Sequence, residues 1–166
     1  MALKTDVRGM SWQYADYFVI GREQLRSFAS ATQCEDPACY SEEAAAELGY
    51  DNIVAPLTFV SILAKLVQND FFRNVDMGME TMQIVQVDQK FFYYKPILAG
   101  DKIFARMDVH SVEERFGADI VVTKNVCTNE RGEVVIESYT TLMGHEGDNS
   151  IQLKWDKETG QVVRTA

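Results

Sequence analysis

Residues in the second half of the chain alternate between apolar and polar with a period of two, which is typical of β-strands. The clearest alternation covers residues 102–113. Further strands are predicted over residues 81–94, 118–129 and 133–144. A glycine-containing turn at residues 116–117 separates the 102–113 strand from the 118–129 strand, and another at 130–132 separates the 118–129 strand from the 133–144 strand. One face of the 102–113 strand carries four apolar side chains: Ile103, Ala105, Met107 and Val109.

The first half of the chain follows a helical pattern instead. A short strand at residues 17–20 ends at a glycine, and the apolar residues that follow at helical spacing predict an amphipathic helix over residues 22–32. Ser41 is a good N-cap for a second, short helix over residues 42–48, whose first turn carries two glutamates.

A third helix is predicted to open at Pro56, because proline is pre-organised for the first helical turn. Residues 57–67 are apolar around nearly the whole helical circumference, and Lys65 marks the one side that is expected to reach water. A helix of this kind, too short to cross a membrane, is expected to be buried inside the molecule.

Helices followed by an antiparallel meander predict an α+β fold, in which a curved antiparallel sheet wraps around a long buried central helix. This architecture resembles the hotdog fold. We see no internal repeat, so we expect one hotdog domain over residues 1–166, with residues 147–166 as a C-terminal extension that includes a small hairpin at 151–165. Residues 84–94 become apolar on both faces, which predicts that a second subunit covers one of them.

Composition narrows the function classes. Of the 166 residues, 46% are hydrophobic and 25% charged, as in globular proteins. The net charge of −9 argues against a nucleic-acid ligand. No apolar run is long enough to span a membrane, and the N-terminal residues lack the apolar core of a signal peptide. We therefore expect a cytoplasmic protein.

The loop over residues 33–40 has the shape of an active-site loop but not its chemistry. A polar Asp36–Pro37 turn lies between Cys34 and Cys39, and the loop contains no histidine. The two histidines of the chain, His110 and His145, are expected to be surface or structural residues. The cysteines are better explained as small packing residues than as nucleophiles. No second Cys/His pair completes a zinc site, so we expect no metal.

Six basic residues have two possible roles. They either form a docking patch for an acidic protein partner or belong to a solvated surface, and the solvated surface is the favoured interpretation for each taken singly. Four lie within 17 residues of sequence and two share a helical face: Lys90, Lys95, Lys102, Arg106, Arg22 and Arg26.

Three stretches together resemble the MaoC/hydratase branch of the hotdog superfamily: residues 35–37, 54–58 and 95–101. Residues 80–89 and 153–157 extend the likeness to the HadC-like subunits of the mycobacterial (3R)-hydroxyacyl-ACP dehydratases of mycolic-acid elongation. The resemblance covers almost the full chain. It implies the loss of water from a 3-hydroxyacyl thioester to give a trans-2-enoyl thioester.

Active members of this branch carry the motif Asp-x-Asn-Pro-x-His. In that family the histidine handles the α-proton, while the aspartate and a water handle the departing hydroxyl. A backbone N–H at the start of the buried helix polarises the thioester carbonyl. Aligning Pro37 with the motif's proline puts Asp36 at the asparagine, Cys34 at the aspartate and Cys39 at the histidine. The resemblance therefore implies no catalytic residue here and a HadB-like partner that supplies both groups.

The resemblance also implies an acyl channel beside the buried helix, although these residues are first of all expected to be core. No metal or other cofactor is implied, and the substrate carrier would be acyl carrier protein. We thus expect a non-catalytic, substrate-binding dehydratase subunit in a heterodimer. The alternatives are a stand-alone acyl-binding or regulatory hotdog protein and a self-sufficient enzyme. The channel candidates are Leu57, Thr58, Phe59, Ile62 and Leu63.

Overall fold

Five antiparallel strands form one sheet in the computed structural model, in the spatial order β1-β3-β4-β5-β2. The structure describes residues 6–76, 82–115, 117–146, 152–156 and 161–165, with side chains for 6–76, 84–115 and 117–144. The strands of this sheet are β1 (Ser11–Val19), β2 (Met82–Tyr93), β3 (Lys102–Arg115), β4 (Ala118–Thr128) and β5 (Val134–Glu146).

The helical elements lie between β1 and β2, as the sequence predicts. The predicted hairpin near the C-terminus is also present, as β6 (Gln152–Asp156) paired with β7 (Gln161–Thr165), while its turn lies outside the described residues. The helices are α1 (Arg22–Ala31), α2 (Glu42–Glu47) and α3 (Val60–Asn74), with short 3-10 turns at Pro37–Cys39 and Leu57–Phe59.

The helix α3 packs on the sheet chiefly over β1 and β3. The alternation in β3 is confirmed, because its four predicted apolar residues are all buried under this helix. Trp12 fixes the contact from β1: its indole Nε1 donates to Asp70 Oδ2 at 2.9 Å, and its ring meets Phe71 edge-on at 5.9 Å between centroids. Each large apolar side chain buried here contributes about 1.5–3 kcal/mol.

The prediction that the helix is buried everywhere except on the side of Lys65 needs correction. The helix runs further than expected, to Asn74, and two apolar side chains of the predicted segment are open to solvent: Leu57, in the 3-10 turn before α3, is 70% exposed, and Leu66 of α3 is 43% exposed. The physical reason is that the sheet of this chain covers one side of α3 only. Lys65 is exposed, as predicted.

An apolar surface lies along β2, which is an edge strand of the sheet. Open edges with exposed apolar side chains favour pairing with another chain. The exposed apolar residues of this edge and its continuation are Ile84, Val85, Val87, Phe92, Tyr93 and Tyr94.

Among the described helices, none combines the length and apolar character needed to cross a membrane.

Candidate functional site

The cysteine loop is held in a defined shape by hydrogen bonds from its own backbone. After α1 ends, Gln33 takes a left-handed conformation (φ 55°) and the Cys34 N–H donates to Ala29 O at 2.8 Å. Asp36 caps the following 3-10 turn, accepting from the Ala38 N–H at 3.0 Å. This turn brings Cys39 back towards Cys34, so that the two sulfurs are 3.8 Å apart.

Neither thiol has the surroundings of a general base. Cys39 is 3% exposed, and burial raises the pKa of its thiol to about 12, with further contributions from the Cys34 hydrogen bond and from the charges of Cys34 and Asp36. A thiol of this kind stays protonated near neutral pH. The Cys39 thiol therefore supplies no base of near-neutral pKa for an α-proton.

Arg26 supports the loop from α1. Its Nε and Nη2 both donate to the Tyr40 carbonyl, at 2.9 and 2.7 Å, and the Tyr40 hydroxyl donates to Cys34 O at 2.8 Å. The Arg22 guanidinium pairs with Glu42 at 2.6 Å. Both arginines of this helical face are therefore engaged within the chain.

The three stretches that carry the MaoC-like resemblance are brought together in space. In the segment that precedes the 3-10 turn at Leu57–Phe59, the Val54 N–H donates to Ala38 O at 3.0 Å, which ties it to the cysteine loop. The Ala55 N–H donates to Ile97 O at 2.8 Å, which ties the same segment to the third stretch. The start of α3 is thus fixed against the cysteine loop.

A cleft of about 470 Å³ opens between the cysteine loop and the start of the helix. We call it the cysteine cleft. Among the predicted channel residues, Leu57 and Thr58 line it, and their N–H groups belong to the first helical turn, which lacks intrahelical acceptors. The other lining residues are Thr32, Cys34, Asp36, Ala38, Cys39, Leu48, Tyr50, Val54, Ala55 and Pro56.

A second pocket, of about 300 Å³, adjoins the cysteine cleft across Leu57. It is walled by Tyr50, Tyr93 and Tyr94, and the Tyr93 hydroxyl donates to Leu57 O at 2.7 Å. Burial raises the pKa of the Tyr93 phenol, so this group remains a neutral donor at physiological pH. The pocket thus adds an aromatic wall beside the helix start.

The remaining predicted channel residues are placed differently. Phe59 is fully buried and packs edge-on against Phe28 at 5.4 Å between ring centroids, and Leu63 is 2% exposed in the same core. Ile62 is half-buried at the edge of that core. These three residues line neither the cysteine cleft nor the tyrosine-walled pocket, and their part in an acyl channel stays a prediction.

A third cavity, of about 650 Å³, lies between α3 and the centre of the sheet and is not among the features predicted from the sequence. Its floor includes Asn125 and Thr140, which are 2% and 3% exposed, and its wall includes Gln68 of α3. Within the described residues, Asn125 Oδ1 and Gln68 Nε2 are buried without a hydrogen-bond partner. We call this space the helix–sheet cavity. The rest of its lining is Ser61, Ala64, Lys65, Asn69, Phe72, Ile84, Gln86, Gln89 and Leu142.

The histidines lie apart from the cysteine loop in the sequence, and the one whose side chain is described has another partner. His110 is exposed on β3, and its ring meets Tyr139 at 5.4 Å. The side chain of His145 lies outside the described residues. Among the residues that the structure describes, no group of three or more His, Cys, Asp or Glu side chains is arranged to hold a metal ion.

The four basic residues of the predicted strand patch are each matched by an acidic neighbour. Such exposed pairs contribute little to stability and leave little net positive charge. The geometry agrees with the solvated surface that the sequence favoured. The pairs are Lys90–Asp88, Lys95–Glu133, Lys102–Glu130 and Arg106–Asp108.

Comparison with known proteins identifies the family. Residues 7–138 match the FAS1-like dehydratase domain region. The whole chain is 72% identical to UPF0336 protein Rv0637 from Mycobacterium tuberculosis and 73% identical to UPF0336 protein ML1908 from Mycobacterium leprae, each over 166 residues and the full length of both proteins. The chain belongs to the UPF0336 family. It carries the FAS1-like dehydratase domain of that family.

Solved structures extend this result to the fold. The UPF0336 chain is similar to a chain of the C-terminally truncated HadBC (3R-hydroxyacyl-ACP dehydratase) complex from Mycobacterium tuberculosis, with 69% identity and a TM-score of 0.81, covering 85% of this chain and 99% of that one. A MaoC-like dehydratase gives 28% identity and a TM-score of 0.80, covering 97% of this chain and 52% of that one. The predicted hotdog fold and the dehydratase branch are confirmed.

Proposed function

We propose that this UPF0336 protein is the HadC-like, substrate-binding and non-catalytic subunit of a heterodimeric (3R)-hydroxyacyl-ACP dehydratase. The observation that carries the proposal is the cysteine loop. It keeps the shape and position of an active-site loop beside the helix start, yet it presents two thiols 3.8 Å apart in place of an acid and a base. The reaction is the loss of water from a 3-hydroxyacyl thioester to give the trans-2-enoyl thioester.

The chemistry of this reaction explains why a partner is needed. Removing the α-proton requires a base with a pKa near neutral, and the departing hydroxyl requires a proton donor. The Cys39 thiol, with its pKa raised to about 12, offers almost no thiolate to act as a base and is too weak an acid to protonate the departing hydroxyl. A hotdog subunit that retains Asp-x-Asn-Pro-x-His brings both groups, and this chain contributes the fold and acyl-chain selectivity.

The exposed apolar edge supports the assembly. Val85 on β2 is 55% exposed, and the neighbouring Tyr93 and Tyr94 are 45% and 57% exposed. The chain of similar structure comes from a HadBC complex, which supports pairing with a second hotdog subunit. Such pairing would cover the edge strand and the apolar residues that flank it.

The acyl chain enters beside α3 in this proposal. Leu57 and Thr58 form the wall of the cysteine cleft where the thioester end would lie, and the helix–sheet cavity provides space further along the same helix. Acyl carrier protein is the proposed carrier in long-chain fatty acid or mycolic acid elongation.

The test is to purify the chain alone, a motif-bearing hydratase subunit alone, and the two co-expressed. Native mass and dehydration of long-chain 3-hydroxyacyl thioesters, offered on acyl carrier protein and on CoA, are measured for all three. We expect a stable one-to-one pair, no turnover by this chain, and long-chain turnover by the pair at least tenfold above the partner alone. The comparison of carriers tests the acyl carrier protein assignment.

Two matched valine variants test whether the β2 edge forms the interface with the partner. Val85→Asp places a charge on the β2 edge, and Val19→Asp places the same charge on β1 at the opposite edge, where Val19 is 58% exposed. We expect the first variant to weaken the pair at least tenfold, about 1.4 kcal/mol, and the second to leave it unchanged. No stable complex, or equal long-chain activity by the partner alone, contradicts the proposal and favours a stand-alone acyl-binding or regulatory protein.

A self-sufficient enzyme would give a different pattern. The purified chain would then turn over substrate without a partner, and Cys34→Ala or Cys39→Ala would abolish that turnover. This result would place the chemistry in the cysteine loop and overturn the assignment of a non-catalytic subunit.

A further inference from the structure

The two thiols of the cysteine loop are in van der Waals contact. The sulfurs are 3.8 Å apart, both cysteines are free, and both line the cysteine cleft. Cys34 is half-buried and reachable from the cleft, while Cys39 is 3% exposed. The third thiol, Cys127, is 1% exposed on β4 and belongs to the core below α3.

We propose that Cys34 and Cys39 are a site of reversible thiol oxidation, at which peroxides or low-molecular-weight disulfides convert the contacting thiols into an intrachain disulfide. The disulfide forms within the loop itself, so it is expected with or without a catalytic partner.

The loop geometry permits the bond. A disulfide has an S–S distance of about 2.0 Å, so the sulfurs must approach by roughly 1.8 Å. Cys34 lies directly after Gln33, whose positive φ marks the end of α1, and its side chain borders the open cleft. The half-buried Cys34 is therefore the side chain that is less confined by packing and can make this approach.

Exposure assigns different roles to the two cysteines. Cys34 is the entry thiol, because its thiolate is within reach of an oxidant in the cleft. With a disulfide RSSR, Cys34 forms a mixed disulfide and releases one RSH; Cys39 then attacks the Cys34 sulfur and the second RSH leaves with its proton. Two protein thiols are oxidised and one RSSR is reduced to two RSH.

With hydrogen peroxide, Cys34 becomes a sulfenic acid and one water is released. Cys39 then condenses with the sulfenic acid, giving the disulfide and a second water. Burial raises the pKa of the Cys39 thiol to about 12, so its attack on Cys34 is the slower of the two steps.

The Asp36–Pro37 bond between the cysteines allows a direct test. It is the single Asp–Pro bond of the sequence, and Asp–Pro bonds are cleaved selectively by mild acid. The full chain is treated with oxidised glutathione or hydrogen peroxide, denatured and alkylated. It is then cleaved in acid, and the masses of the products are measured by mass spectrometry before and after reduction.

We expect the oxidised chain to lose two hydrogen atoms and to take one alkyl group, at Cys127, where the reduced chain takes three. After acid cleavage the fragments 1–36 and 37–166 should remain joined until dithiothreitol separates them. Fragments that separate without reductant, disulfide-linked dimers, or a thiol count that stays at three overturn the proposal.

Single variants provide the controls. Cys39→Ser leaves Cys34 without its resolving partner, so oxidised glutathione should leave one lasting adduct on Cys34. Cys34→Ser should give neither an adduct nor the loss of two hydrogens, because Cys39 and Cys127 are buried. A lasting glutathione adduct on the wild-type chain, or an adduct on Cys34→Ser, contradicts the assigned roles. Circular dichroism verifies that each variant is folded, and the wild-type result decides the proposal if one is not.

Discussion

Met107 and Asn125 are direct partners on adjacent strands, and they face the same side of the sheet with almost the same burial. Met107 is fully buried and Asn125 is 2% exposed. Their surroundings differ nevertheless. Met107 lies in the apolar core under α3, whereas Asn125 borders the 650 Å³ helix–sheet cavity with its Oδ1 unpartnered among the described residues. Burial and close packing are therefore separate properties in this sheet.

The difference follows the position of α3. One row of paired residues crosses the sheet through Trp12, Met107, Asn125, Ser138 and Phe91. The helix packs over the β1 and β3 end of the row, and the two polar residues lie in the middle, on β4 and β5. The packed side supplies the folding energy. On the cavity side, the polar side chains of Asn125 and Thr140 border an open space instead of a close-packed helix.

The largest expected effect comes from two leucines of α3 that differ in burial. Leu63→Ala removes a side chain that is 2% exposed in the packed core and should lower the free energy of unfolding by about 2–5 kcal/mol. Leu66→Ala makes the same change three residues later, where the leucine is 43% exposed, and should cost less than about 1 kcal/mol. Urea denaturation of the isolated chain measures both. Equal losses of stability would mean that the side chains of Leu63 and Leu66 are equally packed.

A smaller effect is expected on the cavity side. Asn125→Leu replaces a buried amide whose oxygen has no described partner with an apolar side chain of the same number of heavy atoms, which the adjoining cavity has room for. The free energy of unfolding should change by less than about 1 kcal/mol, in either direction, because no established hydrogen bond of that oxygen is lost. The same denaturation assay applies. A loss above about 2 kcal/mol would show that Asn125 is part of a tightly packed network, and the contrast with Met107 would fail.

Short-range patterns explain why much of the fold could be predicted. The alternation around Met107, the Ser41 cap and the Asp36–Pro37 turn each depend on neighbours in sequence, and the structure confirms them: Ser41 Oγ accepts from the Ala44 N–H at 3.3 Å. The burial of α3 was overestimated, because apolar residues around a helix do not show whether one chain or two will cover them. Leu57 and Leu66 show the error.

The helix–sheet cavity escaped prediction because its lining comes from α3, β2, β4 and β5, which are distant in sequence. A signal was present all the same. Thr123 and Asn125 occupy inward positions of the β4 alternation, between Val121 and Cys127, where a packed core would carry apolar residues. Polar residues at inward positions indicate where α3 does not pack closely against the sheet.

The smallest effect concerns the turn between β4 and β5, which contains Glu133. The pKa of Glu133 is lowered to about 2, first by the hydrogen bond that Asn129 donates at 2.8 Å and then by Lys95 and Arg131. A lowered carboxyl pKa gives stability that is present above the unfolded value, 4.5, and is lost as the pH falls towards 2. The destabilisation caused by Glu133→Gln should therefore be constant above pH 5 and shrink below it.

Melting temperatures of the wild type and Glu133→Gln between pH 7 and about pH 2 test this dependence. Lys95→Met, which removes one of the charged partners, should show the same trend with a smaller amplitude, because Asn129 and Arg131 still bind the carboxylate. A difference that persists undiminished at the lowest pH would mean that Glu133 acts through packing rather than charge. The strands β4 and β5 would then be held together by their ladder hydrogen bonds, without an electrostatic contribution from the turn.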